Sequence, residues 1–285
     1  MNIRTSNFER DDCALSYRER EGSGGTLVFL HGSGFSKEIF DRQFGSDRLK
    51  DYRLIAVDLP GHGGSADAED PATHYTFSGF ARAIEHLLVR LGVEQCVVVG
   101  WSLGGHVALQ MASSRPLVKG VVTLGTAPID GGPLGMIRSM HFSKALLLAG
   151  KAQFSEEDAV LFEQQCLEHL AQGRFVSSLM RTDPHMRPSL SKAALTSFGP
   201  GQYAQMMESE VEICLIHGCH DPFIRTNYMK SLRGPSLYGG GAILFEDSGH
   251  APFLDAQEEF ESLLCGFYQG CYLRRHPAAP SLRAA

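Results

Sequence analysis

The stretch Gly100-Trp101-Ser102-Leu103-Gly104-Gly105 follows the apolar run Val97-Val98-Val99. A serine between glycines at a strand end fits a nucleophile elbow. The sharp strand-to-helix turn pushes the hydroxyl outwards and needs flanking positions without bulk. The bare pattern arises by chance; its place between an apolar strand and a helix gives it weight. A hydroxyl attacks poorly without a base. Of the 12 histidines, His250 is the expected base, because Phe245-Glu246-Asp247-Ser248-Gly249-His250 forms the loop after the last strand. Asp221, in His217-Gly218-Cys219-His220-Asp221-Pro222-Phe223, also follows a strand. It is the expected acceptor for the other ring nitrogen, which fixes the tautomer and steadies the imidazolium. Asp130, after the strand GVVTL, is the alternative acid. Glu246 and Asp247 lie too close to His250 in sequence to orient it. The oxyanion needs two donors. Leu103 N–H opens the helix after the elbow, and Ser33 N–H lies in His31-Gly32-Ser33-Gly34 after another strand. That turn lacks phosphate-loop spacing. His31, His86, His106 and His217 read as structural, and His62 as part of a turn that shapes the site.

These residues need a frame that brings strand ends together. Short apolar runs supply it: Thr26 to Leu30, Arg53 to Val57, Cys96 to Val99, Gly120 to Leu124, Val211 to Ile216 and Ala242 to Phe245. Asn7 to Glu19 alternates as an opening antiparallel pair. Helical spacing runs from Thr76, a good N-cap, to a stop at Gly92. Further helices are expected over Leu103 to Ser114 and Ala256 to Tyr268. Apolar strands alternating with helices give a mostly parallel sheet covered on both faces, with ligands at the carboxyl ends of its strands. Between about Thr126 and Met207 the rhythm turns helical. The expected division is therefore a core of residues 1–125 and 208–270, an inserted helical cap of 126–207 and a flexible tail of 271–285. Most of the cap's Met, Leu and Phe side chains are expected to pack helix on helix, and the rest to line a pocket.

Composition narrows the function classes. The chain has 285 residues, 43% apolar and 20% charged, with a net charge of −6. An acidic balance without a basic run argues against nucleic acid or an anionic membrane as partner. No apolar stretch is long enough for a membrane span, and the polar start is no signal peptide. The seven cysteines are scattered, with no zinc-like spacing, and read as free thiols of a reducing compartment. A cytoplasmic protein with no metal and no cofactor is expected; nothing marks an oligomeric state.

Together HGSG, DLPGHGGS, GWSLGG, HGCHDPF and SGHAPF, in this order, resemble the α/β-hydrolase superfamily from about Leu27 to Tyr268. The resemblance implies an eight-stranded, mostly parallel sheet with the second strand antiparallel, and a helical cap after the sixth. RLIAVDLPGHGGSADAEDPATHYT, VVVGWSLGGHVAL and SGHAPF are similar to the metal-independent N-acyl-homoserine lactonases of this fold. That likeness puts the triad on Ser102, Asp221 and His250. It puts an oxyanion donor on Ser33 in place of asparagine, and Phe162 in place of a cap tyrosine that contacts substrate. Gly32, Gly34 and Trp101 join Phe162 as expected substrate contacts. The implied activity is hydrolysis of a small-molecule ester or lactone through an acyl-enzyme, with N-acyl-homoserine lactones favoured. The alternatives are a general carboxylesterase, since the biotin-pathway carboxylesterases share WSLGG and GHAPF, and a slowly turning lactone receptor.

Overall fold

In a computed structural model the described residues are 3–8, 14–114, 116–129, 133–196 and 201–273. The strands are β1 (Ile3–Phe8), β2 (Leu15–Arg20), β3 (Thr26–Leu30), β4 (Arg53–Val57), β5 (Cys96–Trp101), β6 (Val118–Leu124), β7 (Glu212–Gly218) and β8 (Ile243–Phe245). They form one sheet in the order β1-β2-β4-β3-β5-β6-β7-β8. β2 pairs antiparallel with both neighbours, and every other pairing is parallel. This is the expected α/β-hydrolase sheet. Its centre explains the unbroken apolar runs: β3 and β5 are buried along their whole length, and each Val or Leu side chain so covered contributes about 1.5–3 kcal/mol. The edge strand β1 is polar and mostly exposed.

The helices follow local signals. Thr76 Oγ1 accepts from Gly79 N–H at 2.9 Å and starts the helix Phe77–Arg90. That helix turns Phe80, Ile84, Leu87 and Leu88 inwards, and Gly92, at φ 65°, closes it. Leu103–Met111 follows β5 directly and is shorter than expected. The closing helix is longer than expected, Gln257–Leu273. Residues 271–273, assigned to a flexible tail, are therefore helical. Buried Cys271 lies against Gly120 of β6, and Tyr272 stacks on Tyr268 with centroids 4.5 Å apart. The remainder of that expected tail lies outside the described residues, as do Cys13 and Asp130. The other six cysteines are free thiols, four of them buried.

Between β6 and β7 the described chain is helical: Pro133–Ser139, Lys144–Ala149, Glu156–Leu167, Val176–Arg181, Met186–Thr196 and Gln202–Met207. Ser155 and Asp158 form a capping box at the start of the longest. This insertion is tied to the strand ends. Ser178 Oγ donates to the Gly34 carbonyl at 3.1 Å, Asp183 N–H to the Gly61 carbonyl at 2.9 Å, and Arg181 Nη2 to the Ser65 carbonyl at 2.9 Å. Tyr75 Oη donates to Asp183. No helix among the described residues is long and apolar enough to cross a membrane.

Candidate active site

Ser102 sits between β5 and its helix at φ 52° and ψ −114°. Positive φ is rare for a residue with a side chain and costs on the order of 1–3 kcal/mol. The turn is held from several sides. Ser102 N–H donates to the Leu124 carbonyl at 2.9 Å, and Thr126 Oγ1 donates to the Ser102 carbonyl at 3.1 Å. The flanking glycines are steric necessities: a Cβ on Gly100 would lie 2.1 Å from Gly104 O, and one on Gly104 would lie 2.1 Å from Leu30 O.

His250 and Asp221 meet beside this turn. His250 Nδ1 lies 2.8 Å from Asp221 Oδ2, and both side chains are almost wholly buried. Asp221 Oδ1 accepts from the N–H groups of Phe223 at 2.8 Å and Ile224 at 3.1 Å. Burial alone would raise the Asp221 pKa. The charge and hydrogen bond of His250, with help from His217 and the Phe223 N–H, overcome this and hold it below the usual carboxylate value. A buried group that stays charged and uses both oxygens is a fixed acceptor for one His250 tautomer. Trp101 Nε1 donates to the His250 carbonyl at 2.8 Å. The backbone at Gly125, φ 52°, passes so close that a Cβ there would fall 2.9 Å from His250 Nδ1. Ser102 and His250 thus both rest on the end of β6. Ser102 Oγ itself makes no hydrogen bond to another described residue. Such bonds are often loose before substrate binds.

The two expected oxyanion donors point out of regular structure. Neither Ser33 N–H nor Leu103 N–H has a backbone acceptor among the described residues. The turn carrying Ser33 is closed by Phe35 N–H donating to the Gly32 carbonyl at 3.1 Å, with Gly34 at φ 81°. Gly104 N–H donates to the His31 carbonyl at 3.1 Å, which places this turn against the elbow.

Three other histidines serve the frame. His31 Nδ1–H donates to the Gly32 carbonyl at 2.8 Å, and Nε2 accepts from Leu59 N–H at 3.0 Å, joining the ends of β3 and β4. His106 Nδ1 lies 2.6 Å from Gln202 Oε1, and burial lowers its pKa to about 4. His217 is buried, with Nε2 3.0 Å from Thr226 Oγ1; its Nδ1 is 3.9 Å from Asp221, too far for a hydrogen bond. Glu246 and Asp247 are exposed.

Of the expected substrate contacts, Trp101 is fully buried, with its N–H committed to His250. Phe162, from the helical insertion, is 4% exposed and lies in an aromatic cluster that reaches the site. Its ring is 6.0 Å from Phe223, which is 4.5 Å from the His250 ring; on another side it is 6.4 Å from Phe35, which is 4.7 Å from Trp101. Phe35, Phe223 and Thr126 carry no expected role in the sequence. Phe35 directly follows HGSG, and Phe223 lies inside HGCHDPF two residues past Asp221, and that adjacency is the available signal.

The eight-stranded, mostly parallel sheet with β2 antiparallel, and the helical insertion between β6 and β7, define an alpha/beta hydrolase fold. The chain matches the model of the alpha/beta hydrolase family over residues 27–263 and belongs to that family. It is similar to the N-acyl homoserine lactonase AidH complexed with N-butanoyl homoserine: 30% identity, TM-score 0.89, covering 94% of this chain and 97% of that one. It is 27% identical to a pimeloyl-[acyl-carrier protein] methyl ester esterase of Aliivibrio fischeri, over 88% of this chain and 96% of the relative. It is 26% identical to the dihydrolipoyllysine-residue acetyltransferase component of the acetoin cleaving system of Cupriavidus necator, over 89% of this chain. It spans 66% of the length of that last protein.

Proposed function

We propose that this hydrolase opens N-acyl-homoserine lactones through an acyl-enzyme on Ser102. The observation that carries the catalytic reading is the buried His250–Asp221 hydrogen bond beside a strained Ser102. In this reading Ser102 Oγ attacks the lactone carbonyl and His250 Nε2 takes its proton. Asp221 holds Nδ1–H and stabilises the imidazolium. The N–H groups of Ser33 and Leu103 receive the oxyanion, each worth about 3 kcal/mol of barrier. His250 returns the proton to the leaving alkoxide, which in a lactone stays tethered to the acyl group. A water, deprotonated by His250, then cleaves the acyl-enzyme. Residues 126–207 act as a cap over the strand ends, and Phe162 contributes apolar surface for the acyl tail. Gly32 and Gly34 let the Ser33 turn pack closely against Trp101 and Leu179, which holds its N–H at the site. The chain's own groups supply every step, so chelation with EDTA is expected to leave the rate unchanged.

The similarity to AidH over nearly the whole chain supports a lactone as substrate. The likeness to a methyl ester esterase favours a second reading, a carboxylesterase of small acyl esters. A panel of acyl-homoserine lactones and linear esters separates the two. The lactonase reading expects kcat/KM on at least one lactone above that on every linear ester. Higher values on linear esters would establish the second reading. A fluorophosphonate that labels the protein but not its Ser102→Ala variant is expected in either case.

A further inference from the structure

The helical insertion carries a buried cation that no carboxylate among the described residues compensates. Arg187, in the helix Met186–Thr196, is 1% exposed. Its Nη2 donates to the Leu179 carbonyl at 3.3 Å, and the guanidinium carbon lies 3.9 Å from the Phe154 ring centroid. Among the described residues, Nε and Nη1 have no hydrogen-bond partner. Three acids of the same insertion are committed elsewhere. Asp183 accepts from Tyr75 and from His185 N–H, Glu163 from the N–H groups of Gly173 and Phe175, and Asp158 from Lys151 and Ser155 N–H. Arg20, the other large buried arginine, also leaves Nε unpaired among the described residues, but the rest of its guanidinium is satisfied. Its Nη1 and Nη2 donate to the carbonyls of Phe44 and Leu49, and Glu261 acts on its charge.

Arg187 also lies near the reacting end of the fold. A Cβ on Gly34 would fall 2.6 Å from its Nη2, so the guanidinium lies against the turn that offers Ser33 N–H. His62, on whose ring Arg187 exerts its charge, is a second incomplete group: Nδ1–H donates to the Pro60 carbonyl at 2.9 Å, and buried Nε2 has no partner among the described residues. A desolvated charge is costly unless something of opposite sign meets it, and a guanidinium is the side chain best shaped for a carboxylate. Burial pulls the Arg187 pKa down to about 10, with no acid acting against it, yet the group stays protonated at neutral pH.

We infer that Arg187 anchors a second, ionised carboxylate on the acyl part of the substrate, so that the site prefers half-esters of short dicarboxylic acids over neutral esters of the same length. This rests on the reading that the Ser33 turn receives the ester carbonyl. It deepens the second reading, a carboxylesterase of small acyl esters, because a neutral N-acyl-homoserine lactone carries no group that would meet the Arg187 charge.

Binding to the Ser102→Ala protein tests it without turnover, using the monomethyl and dimethyl esters of succinic, glutaric and adipic acids in titration calorimetry. At least one monomethyl ester is expected to bind about 30-fold more tightly than its dimethyl partner. In Ser102→Ala/Arg187→Gln that ratio falls below about threefold, and Arg187→Lys, which keeps the charge, retains part of it. Equal binding of every pair overturns the inference, as does a preference that survives Arg187→Gln. If Arg187→Gln fails to fold, the lysine variant decides: an unaltered preference overturns the inference and a reduced one supports it. Loss of ester hydrolysis in the parent protein would defeat the catalytic reading alone, because this binding test does not depend on turnover.

Discussion

At Ser102 the backbone adopts a conformation that its own side chain disfavours, and neighbours on β5, β6 and the following helix hold it there. Strain of that kind persists where the surroundings over-determine it. Replacing Ser102 with alanine leaves those backbone bonds in place, so ester turnover is expected to vanish while the circular dichroism spectrum and melting temperature stay near the parent's. Asp221→Asn should lower kcat by about 10³–10⁴-fold. An amide can present its NH2 where Nδ1–H must be accepted, which favours the wrong tautomer. Steady-state kinetics on a chromogenic ester would measure this, and a loss under tenfold would remove Asp221 from the role proposed for it.

The elements owe their positions to close backbone approach, and this yields opposite predictions for two glycines. Gly104→Ala drives a methyl group into the Leu30 carbonyl, which is backbone and cannot yield. A loss of about 3 kcal/mol or more, or failure to fold, is expected in urea unfolding. Gly266, in the closing helix, has nothing within 4 Å of an added Cβ, so Gly266→Ala should gain about 0.5–1 kcal/mol. Strands were legible because buried parallel strands are apolar at every position, and their ends are marked by an abrupt change to Gly, His and Asp. That same change exposed Ser102, Asp221, His250 and the Ser33 turn as candidates. Helix ends were less legible. The closing helix runs past Tyr268 because Tyr272 and Cys271 find partners across the fold, and no local signal encodes such partners. Arg187 was missed for the same reason: in Met186-Arg187-Pro188 it looks like an ordinary surface arginine.

Across the molecule, buried histidines couple stability to pH. His31, His62, His106 and His217 all have pKa values below the ordinary 6.5, chiefly through burial. Their folded forms are neutral, while the unfolded chain binds protons as pH falls below about 6.5. The unfolded state then holds more protons, so stability declines with acid. For His106 the window runs from 6.5 down to about 4, a contribution of about 3 kcal/mol. His106→Gln should flatten the acid limb of a stability–pH curve from urea unfolding. An unchanged limb would show that His106 does not resist protonation. Asp221, with its pKa held low, adds stability present above the ordinary carboxylate value and lost as pH falls through its folded pKa.

The most direct measurement for the central claim is mass spectrometry of N-hexanoyl-homoserine lactone turned over in H2(18)O by the parent and by Ser102→Ala. The account predicts a ring-opened product, one water heavier, with the heavy oxygen in the new carboxylate and no product from the variant. Equal turnover by Ser102→Ala, or release of free homoserine lactone by amide cleavage, would contradict it.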